Sequence, residues 1–169
     1  EAATEEFRKI NSLGQVPVLE LDDGRFLTES IAICRYLEHL HPDPALFGKT
    51  PVDQAFVEMW SRRMELGLFN VMGDIGLHEF EFFKDRVEQN AAYAASRRRD
   101  FSARLRWLDT ELLDERPFLA GEAFSVADIT GMAMLLITGY VGINIPDGLT
   151  HVKRWEMAMR ARPSFPKMP

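Results

Sequence analysis

Apolar positions in this 169-residue chain change their spacing once, close to residue 41. Before that point the pattern is short. Val16 to Leu21 is a run of β-branched and aliphatic residues after a turn, and it reads as a strand. Asp22-Asp23-Gly24 is a tight hairpin turn, because glycine supplies the positive φ such a turn needs. Arg25-Phe26-Leu27 is the returning strand. From Ser30 to Leu40 the spacing lengthens. Ile33, Leu37 and Leu40 recur at i, i+4 and i+7, with Ile31 and Cys34 beside them, which predicts an amphipathic helix. Upstream, residues 1–11 read as the end of a helix with Phe7 and Ile10 on one face, stopped by Asn11-Ser12-Leu13-Gly14.

His41-Pro42-Asp43-Pro44 breaks the pattern, since two prolines so close cannot continue a helix. Lys49-Thr50-Pro51 closes the interruption. The expected partition is a first domain over residues 1–41, a linker over 42–50 and an all-helical second domain over 51–169. In that second part, Val52 to about Phe83 reads as one long helix with a bend near Gly67, Gly73 or Gly76. Val87 to Leu113 is a second, with Phe101, Leu105, Leu108 and Leu112 tracing one face. Ser125 to Tyr140 and Thr150 to Ala161 follow, and Arg162-Pro163-Ser164 ends the fold. Ile129 to Pro146 carries no formal charge, yet it contains Thr130, Thr138, Asn144 and three glycines. It falls short of the roughly 20 apolar residues a membrane span requires and reads as a buried core helix.

Composition changes this picture little. An apolar fraction of 46% and a charged fraction of 27% suit a globular protein with a core. The net charge of −6 excludes a general nucleic-acid or anionic-membrane binder, which needs a basic field. The single cysteine, Cys34, rules out an intramolecular disulfide and fits a reducing cytoplasm. Residues 1–10 are charged, without the apolar core of a secretion signal. His39, His41, His78 and His151 form no metal-ligand pattern, so no metal is expected. Cys34, on the apolar side of its helix, reads as a buried inert thiol. Arg97-Arg98-Arg99 reads as a solvated helix face.

Three short segments carry candidate chemistry. At Val16-Pro17, a proline heads a strand. The dipeptide alone reads as a plain trans edge proline; a cis bond would turn the Val16 amide and carbonyl outward to pair with an extended ligand. At Glu29-Ser30, a carboxylate and a hydroxyl stand where a helix starts. Ordinary capping accounts for both. The same groups also suit a ligand's ammonium and carboxylate, because the first helical N–H groups have no internal partner and sit at the positive end of the dipole. At Phe124-Ser125-Val126-Ala127-Asp128-Ile129, Ser125 and Asp128 form a capping box inside a Phe124–Ile129 hydrophobic staple, a structural device.

The order of these segments resembles the glutathione transferase superfamily, closest to bacterial theta- or beta-like cytosolic members. Phe7 through Leu19 resembles the motif around the family's cis-proline. Leu27-Thr28-Glu29-Ser30-Ile31-Ala32-Ile33 looks like its γ-glutamyl site, and Phe118 through Asp128 resembles its helical-domain capping box. The resemblance covers nearly the whole chain. It implies a thioredoxin-like α+β first domain, partial here, and an all-α bundle behind it. It implies that Val16 binds the cysteinyl backbone of glutathione beside a cis Pro17, that Glu29 and Ser30 hold the γ-glutamyl ammonium and carboxylate, and that Gln15 lies near the cysteinyl-glycine end. It implies an electrophile pocket between the domains lined partly by Met64, Leu68 and Val71, a homodimer, and no partner among nucleic acids or membranes.

The resemblance also has a gap. Family members begin with a strand, a helix and another strand that carry the thiol-activating tyrosine, serine or cysteine, and these do not precede residue 1 here. The catalytic residue is therefore unassigned, and an unrecorded leading segment is the expectation. The implied function is conjugation of the glutathione thiolate to small hydrophobic electrophiles in detoxification. A glutathione-dependent thiol reductase or peroxidase of the same fold is an alternative, and a non-catalytic docking module is another.

Overall fold

The computed structural model describes residues 4–165; residues 1–3 of the first expected helix lie outside that range. The chain divides into two compact units between Phe47 and Gly48.

In the first unit, helix α1 spans Glu5–Ile10, and the Thr4 hydroxyl caps it by accepting the Phe7 N–H. Strands β1 (Val18–Glu20) and β2 (Phe26–Thr28) form an antiparallel pair with Val18 opposite Thr28 and Glu20 opposite Phe26. The ladder starts later than the apolar run, because Pro17 has no N–H to donate. Helix α2 (Ser30–Leu40) packs on both strands. Here the expectation needs correction. Ile33 is buried, but Cys34, Leu37 and Leu40 are exposed. Three-residue strands are only about 10 Å long, whereas an eleven-residue helix spans about 16 Å, so the later turns of α2 have no strand above them. The Glu38 carboxylate accepts the Leu46 and Phe47 N–H groups at 2.6 and 3.1 Å. It folds the proline-rich segment back and seats a buried Phe47 under the Arg35 guanidinium.

In the second unit, a Thr50–Asp53 capping box with Pro51 in the first turn starts α3 (Pro51–Met64). The predicted single helix over 52–83 is instead three pieces. A π-helical turn at Glu65–Phe69 separates α3 from α4 (Asn70–Glu79), and Phe80 leaves the helix in an extended conformation before a 3-10 turn at Glu81–Phe83. Helix α5 (Ala91–Glu111) is capped by Asn90; α6 (Val126–Tyr140) and α7 (Thr150–Arg160) complete the unit. Phe101, Leu105, Leu108 and Leu112 are buried in one core with Trp60, Met72, Leu135 and Trp155. Helix α7 has no side-chain cap of its own, since Leu149 stands at its start. Asp109 of α5 supplies one, accepting the His151 and Val152 N–H groups at 2.9 Å each. Among the described residues no helix is long and apolar enough to cross a membrane.

Two of the three consecutive arginines are not a solvated face. Arg97 donates to Asp74 at 3.0 Å, and Arg98 forms a two-pronged pair with Glu79 while also donating to the Val141 carbonyl. The bonds to Asp74 and Glu79 lace α4 to α5, and the third reaches the end of α6. The Arg98 guanidinium holds the Glu79 carboxyl below its ordinary value of 4.5. A depressed carboxyl stabilises the fold above its unfolded-state value, and that stability is lost as pH falls through the folded-state value. Glu79→Gln is therefore expected to cost at most about 1 kcal/mol near neutrality, since both side chains are partly open to water. Urea midpoints of the two proteins should converge as pH drops below 4.5; a gap that stays constant across that range rules out the pairing as its source.

Candidate functional site

The register of the strand pair brings two of the three candidate segments together. Val18 faces Thr28 in the last pair of the ladder, so the chain entering β1 through Pro17 and the chain leaving β2 through Glu29 lie at the same end. The proline step and the helix start thus share one end of the hairpin. Gln15, Val16, Pro17, Glu29 and Ser30 are all exposed there. The Val16–Pro17 bond is cis, as is Asp43–Pro44 in the linker.

The loop that enters this end is tightly held. Gly14 adopts a φ of 66°, where glycine has no Cβ penalty, and its N–H closes a turn on the Asn11 carbonyl at 2.8 Å. The Asn11 side chain is nearly buried. Its Nδ2 donates to the Gln15 carbonyl at 2.7 Å and its Oδ1 accepts the Leu13 N–H at 3.2 Å. The sequence places Asn11 in a helix stop and in the segment around Pro17 but assigns its side chain no partner.

On the facing side, Glu29 has φ 66° and ψ 115°, a conformation costing a non-glycine residue on the order of 1–3 kcal/mol. No side chain caps the first turn of α2, so its leading N–H groups are open to an anion. The arrangement therefore offers backbone donors, a hydroxyl and a carboxylate along one exposed edge. Among the described residues no group of three or more histidine, cysteine, aspartate or glutamate side chains is placed to hold a metal ion.

The third segment lies in the second unit and serves structure. Asp128 is fully buried, and both of its oxygens accept hydrogen bonds. Oδ2 takes the Ser125 N–H and hydroxyl at 3.1 Å each. Oδ1 takes the Leu119 N–H at 2.9 Å and the Trp155 Nε1–H at 3.1 Å. Burial pushes this carboxyl above its ordinary range, against the downward pull of those four donors. The last two partners were not legible in the motif.

Met64, Leu68 and Val71, expected to line a pocket, are completely buried in the helical core. Their i, i+4, i+7 spacing marks the stripe that packs against neighbouring helices, and no surface is left for a ligand. A groove of about 570 Å³ in the same unit is lined by Asp74, His78, Glu88, Gln89, Asn90 and Tyr93. Its Tyr93 hydroxyl donates to Asp74 and its His78 Nδ1 accepts the Asn90 N–H, so these groups serve the α4–α5 joint.

Both units match known proteins. Residues 1–40 match the family described as glutathione S-transferase, N-terminal domain, and residues 59–163 match glutathione S-transferase, C-terminal domain. Glutathione S-transferase 2 of Saccharomyces cerevisiae is 36% identical over 165 residues, covering 96% of this chain and 70% of that protein. A solved glutathione S-transferase domain-containing protein from Marinobacter aquaeolei superposes with a TM-score of 0.87 at 33% identity, covering 98% of this chain and 82% of the other. Elongation factor 1-gamma 3 of Oryza sativa is 33% identical over 98% of this chain but only 39% of its own length.

Proposed function

Since this chain belongs to the glutathione S-transferase family, we propose that it binds glutathione along the open end of its strand pair and joins the thiol sulfur to small hydrophobic electrophiles. One observation supports the reading: the last ladder pair, Val18 opposite Thr28, leaves the exposed Val16–Pro17 step and the uncapped start of α2 at the same end of the hairpin. In this proposal the Val16 main chain pairs with the cysteinyl backbone. Glu29 meets the γ-glutamyl ammonium, and the Ser30 hydroxyl and N–H receive the adjacent carboxylate. Gln15 lies toward the cysteinyl-glycine end. An α-amino acid terminus carries ammonium and carboxylate on one carbon, which is why neighbouring residues of opposite function suit it. The thiolate is the reacting form of the sulfur, and binding raises its effective concentration at the electrophile. The thiol-activating group is not assigned to a residue of this chain. A cytoplasmic homodimer, with residues 1–41 as the glutathione domain, 42–50 as linker and 51–169 as the helical domain, completes the proposal.

A second reading is favoured by the likeness to elongation factor 1-gamma across almost the whole chain: a docking domain without catalysis. Calorimetric titration separates the two. Wild type is expected to bind glutathione, and Ser30→Ala to bind it about tenfold more weakly, the loss of one hydrogen bond to a charged group. No binding by wild type, with no conjugation of an activated aryl chloride, supports the docking domain. Equal affinities remove Ser30 from the site.

A further inference from the structure

We propose that Asn11 is a positioning residue that sets the direction of the Val16 backbone donor. The inference rests on the glutathione-binding reading above and adds to it the device that holds the binding edge in shape. The Gln15–Val16 peptide is trans; the cis bonds are at Val16–Pro17 and Asp43–Pro44. In a trans peptide the C=O and the N–H point in opposite directions. The Gln15 carbonyl is turned inward onto the Asn11 Nδ2 at 2.7 Å, and Asn11 itself is only 6% exposed. The Val16 N–H must then face outward, on a residue that is 68% exposed. Asn11 is anchored from its other side as well, since its Oδ1 accepts the Leu13 N–H and its carbonyl accepts the Gly14 N–H. A buried amide between these partners leaves the Gln15–Val16 peptide plane one orientation. Without Nδ2 the plane is free to turn, and the donor offered to the cysteinyl backbone is lost for part of the time. The effect reaches the ligand only through Val16, and Glu29 and Ser30 are untouched by it.

The test uses two substitutions in the full chain. Asn11→Asp keeps an oxygen for the Leu13 N–H but sets a second oxygen against the Gln15 carbonyl. Asn11→Ser serves the same purpose should the aspartate variant not fold. Two probes are titrated: glutathione, and γ-glutamylmethylamide, which offers the groups for Glu29 and Ser30 but no cysteine backbone. Either variant is expected to bind glutathione about tenfold more weakly, the worth of one well-made hydrogen bond. The γ-glutamyl probe is expected to change by less than about twofold, because Glu29 and Ser30 share no hydrogen-bond partner with Asn11. Amide order parameters from nuclear relaxation of the unliganded protein should fall at Gln15 and Val16. Unchanged glutathione affinity in the variants overturns the role of Asn11 and leaves the binding reading standing. Equal losses for both probes overturn it too, by showing a general structural effect. Failure of wild type to bind either probe removes the binding reading itself and this one with it.

Discussion

Replacing Asp128 with alanine is expected to destabilise the helical unit by about 3–5 kcal/mol, the cost of leaving several buried N–H donors unsatisfied at roughly 1–3 kcal/mol each. The substitution leaves the Leu119 N–H, the Trp155 Nε1–H and the Ser125 N–H without an acceptor in a fully buried site. It also removes the device that starts α6. In a unit of this size the loss corresponds to a fall in melting temperature of roughly 12–20 °C. Asp128→Asn should cost less. Its oxygen can still serve Leu119 and Trp155, while its amide NH₂ meets the Ser125 N–H head on. Thermal melts followed by far-ultraviolet circular dichroism give the magnitude, and the near-ultraviolet tryptophan band reports whether Trp155 has loosened. A loss under about 1 kcal/mol, the worth of a simple exposed cap, would contradict the assignment of Asp128 as a four-donor hub.

Gly131→Ala is the second large effect, and its sign runs against helix propensity. Alanine is favoured over glycine inside a helix by about 1 kcal/mol. At Gly131, however, a Cβ would stand 2.5 Å from Cη2 and 2.7 Å from Cζ2 of Trp155, with the Met64 methyl at 3.2 Å. The indole cannot swing aside. It is fully buried, and Asp128 holds its Nε1–H. The expected net loss is about 2–3 kcal/mol, typical of overpacking a rigid core. Gly139→Ala, in the same helix with nothing within 4 Å of the added carbon, is the control and should be neutral or stabilising. The two core substitutions act through one indole, so Asp128→Ala combined with Gly131→Ala should cost less than the sum. Strict additivity in urea denaturation would show that Trp155 does not link them.

What could be read from the chain, and what could not, follows from the range of each interaction. The hairpin turn at Asp22-Asp23-Gly24 and the limits of α2 are legible because glycine, proline and residue types that favour helix starts act within a few residues. Arg97 and Arg98 depart from the solvated face expected of residues 97–99 because their partners arrive from a helix about twenty positions earlier. Cys34, Leu37 and Leu40 show a related limit. Periodicity marks a face able to be buried, and α2 packs on strands too short to cover it. Met64, Leu68 and Val71 fail in the opposite sense, since the same repeat fits a pocket wall or a core stripe and only packing distinguishes them. The π-helical turn has no local signature beyond Gly67. At the candidate site the residue types were legible. The strained backbone of Glu29 and the grip of Asn11 on Gln15 were not, because both depend on where the neighbouring loop settles.

The borrowed carboxylate of Asp109 has a consequence for assembly. Helix α7 is preceded by Leu149, and no side chain of its own caps its leading amides. The acceptor comes from a side chain more than forty residues upstream. Eleven residues are too few for a helix to persist alone in water, so the final segment takes its shape only once the long α5 rod is present as a template. Order at this end of the molecule is conferred by a distant part of the chain and vanishes with it.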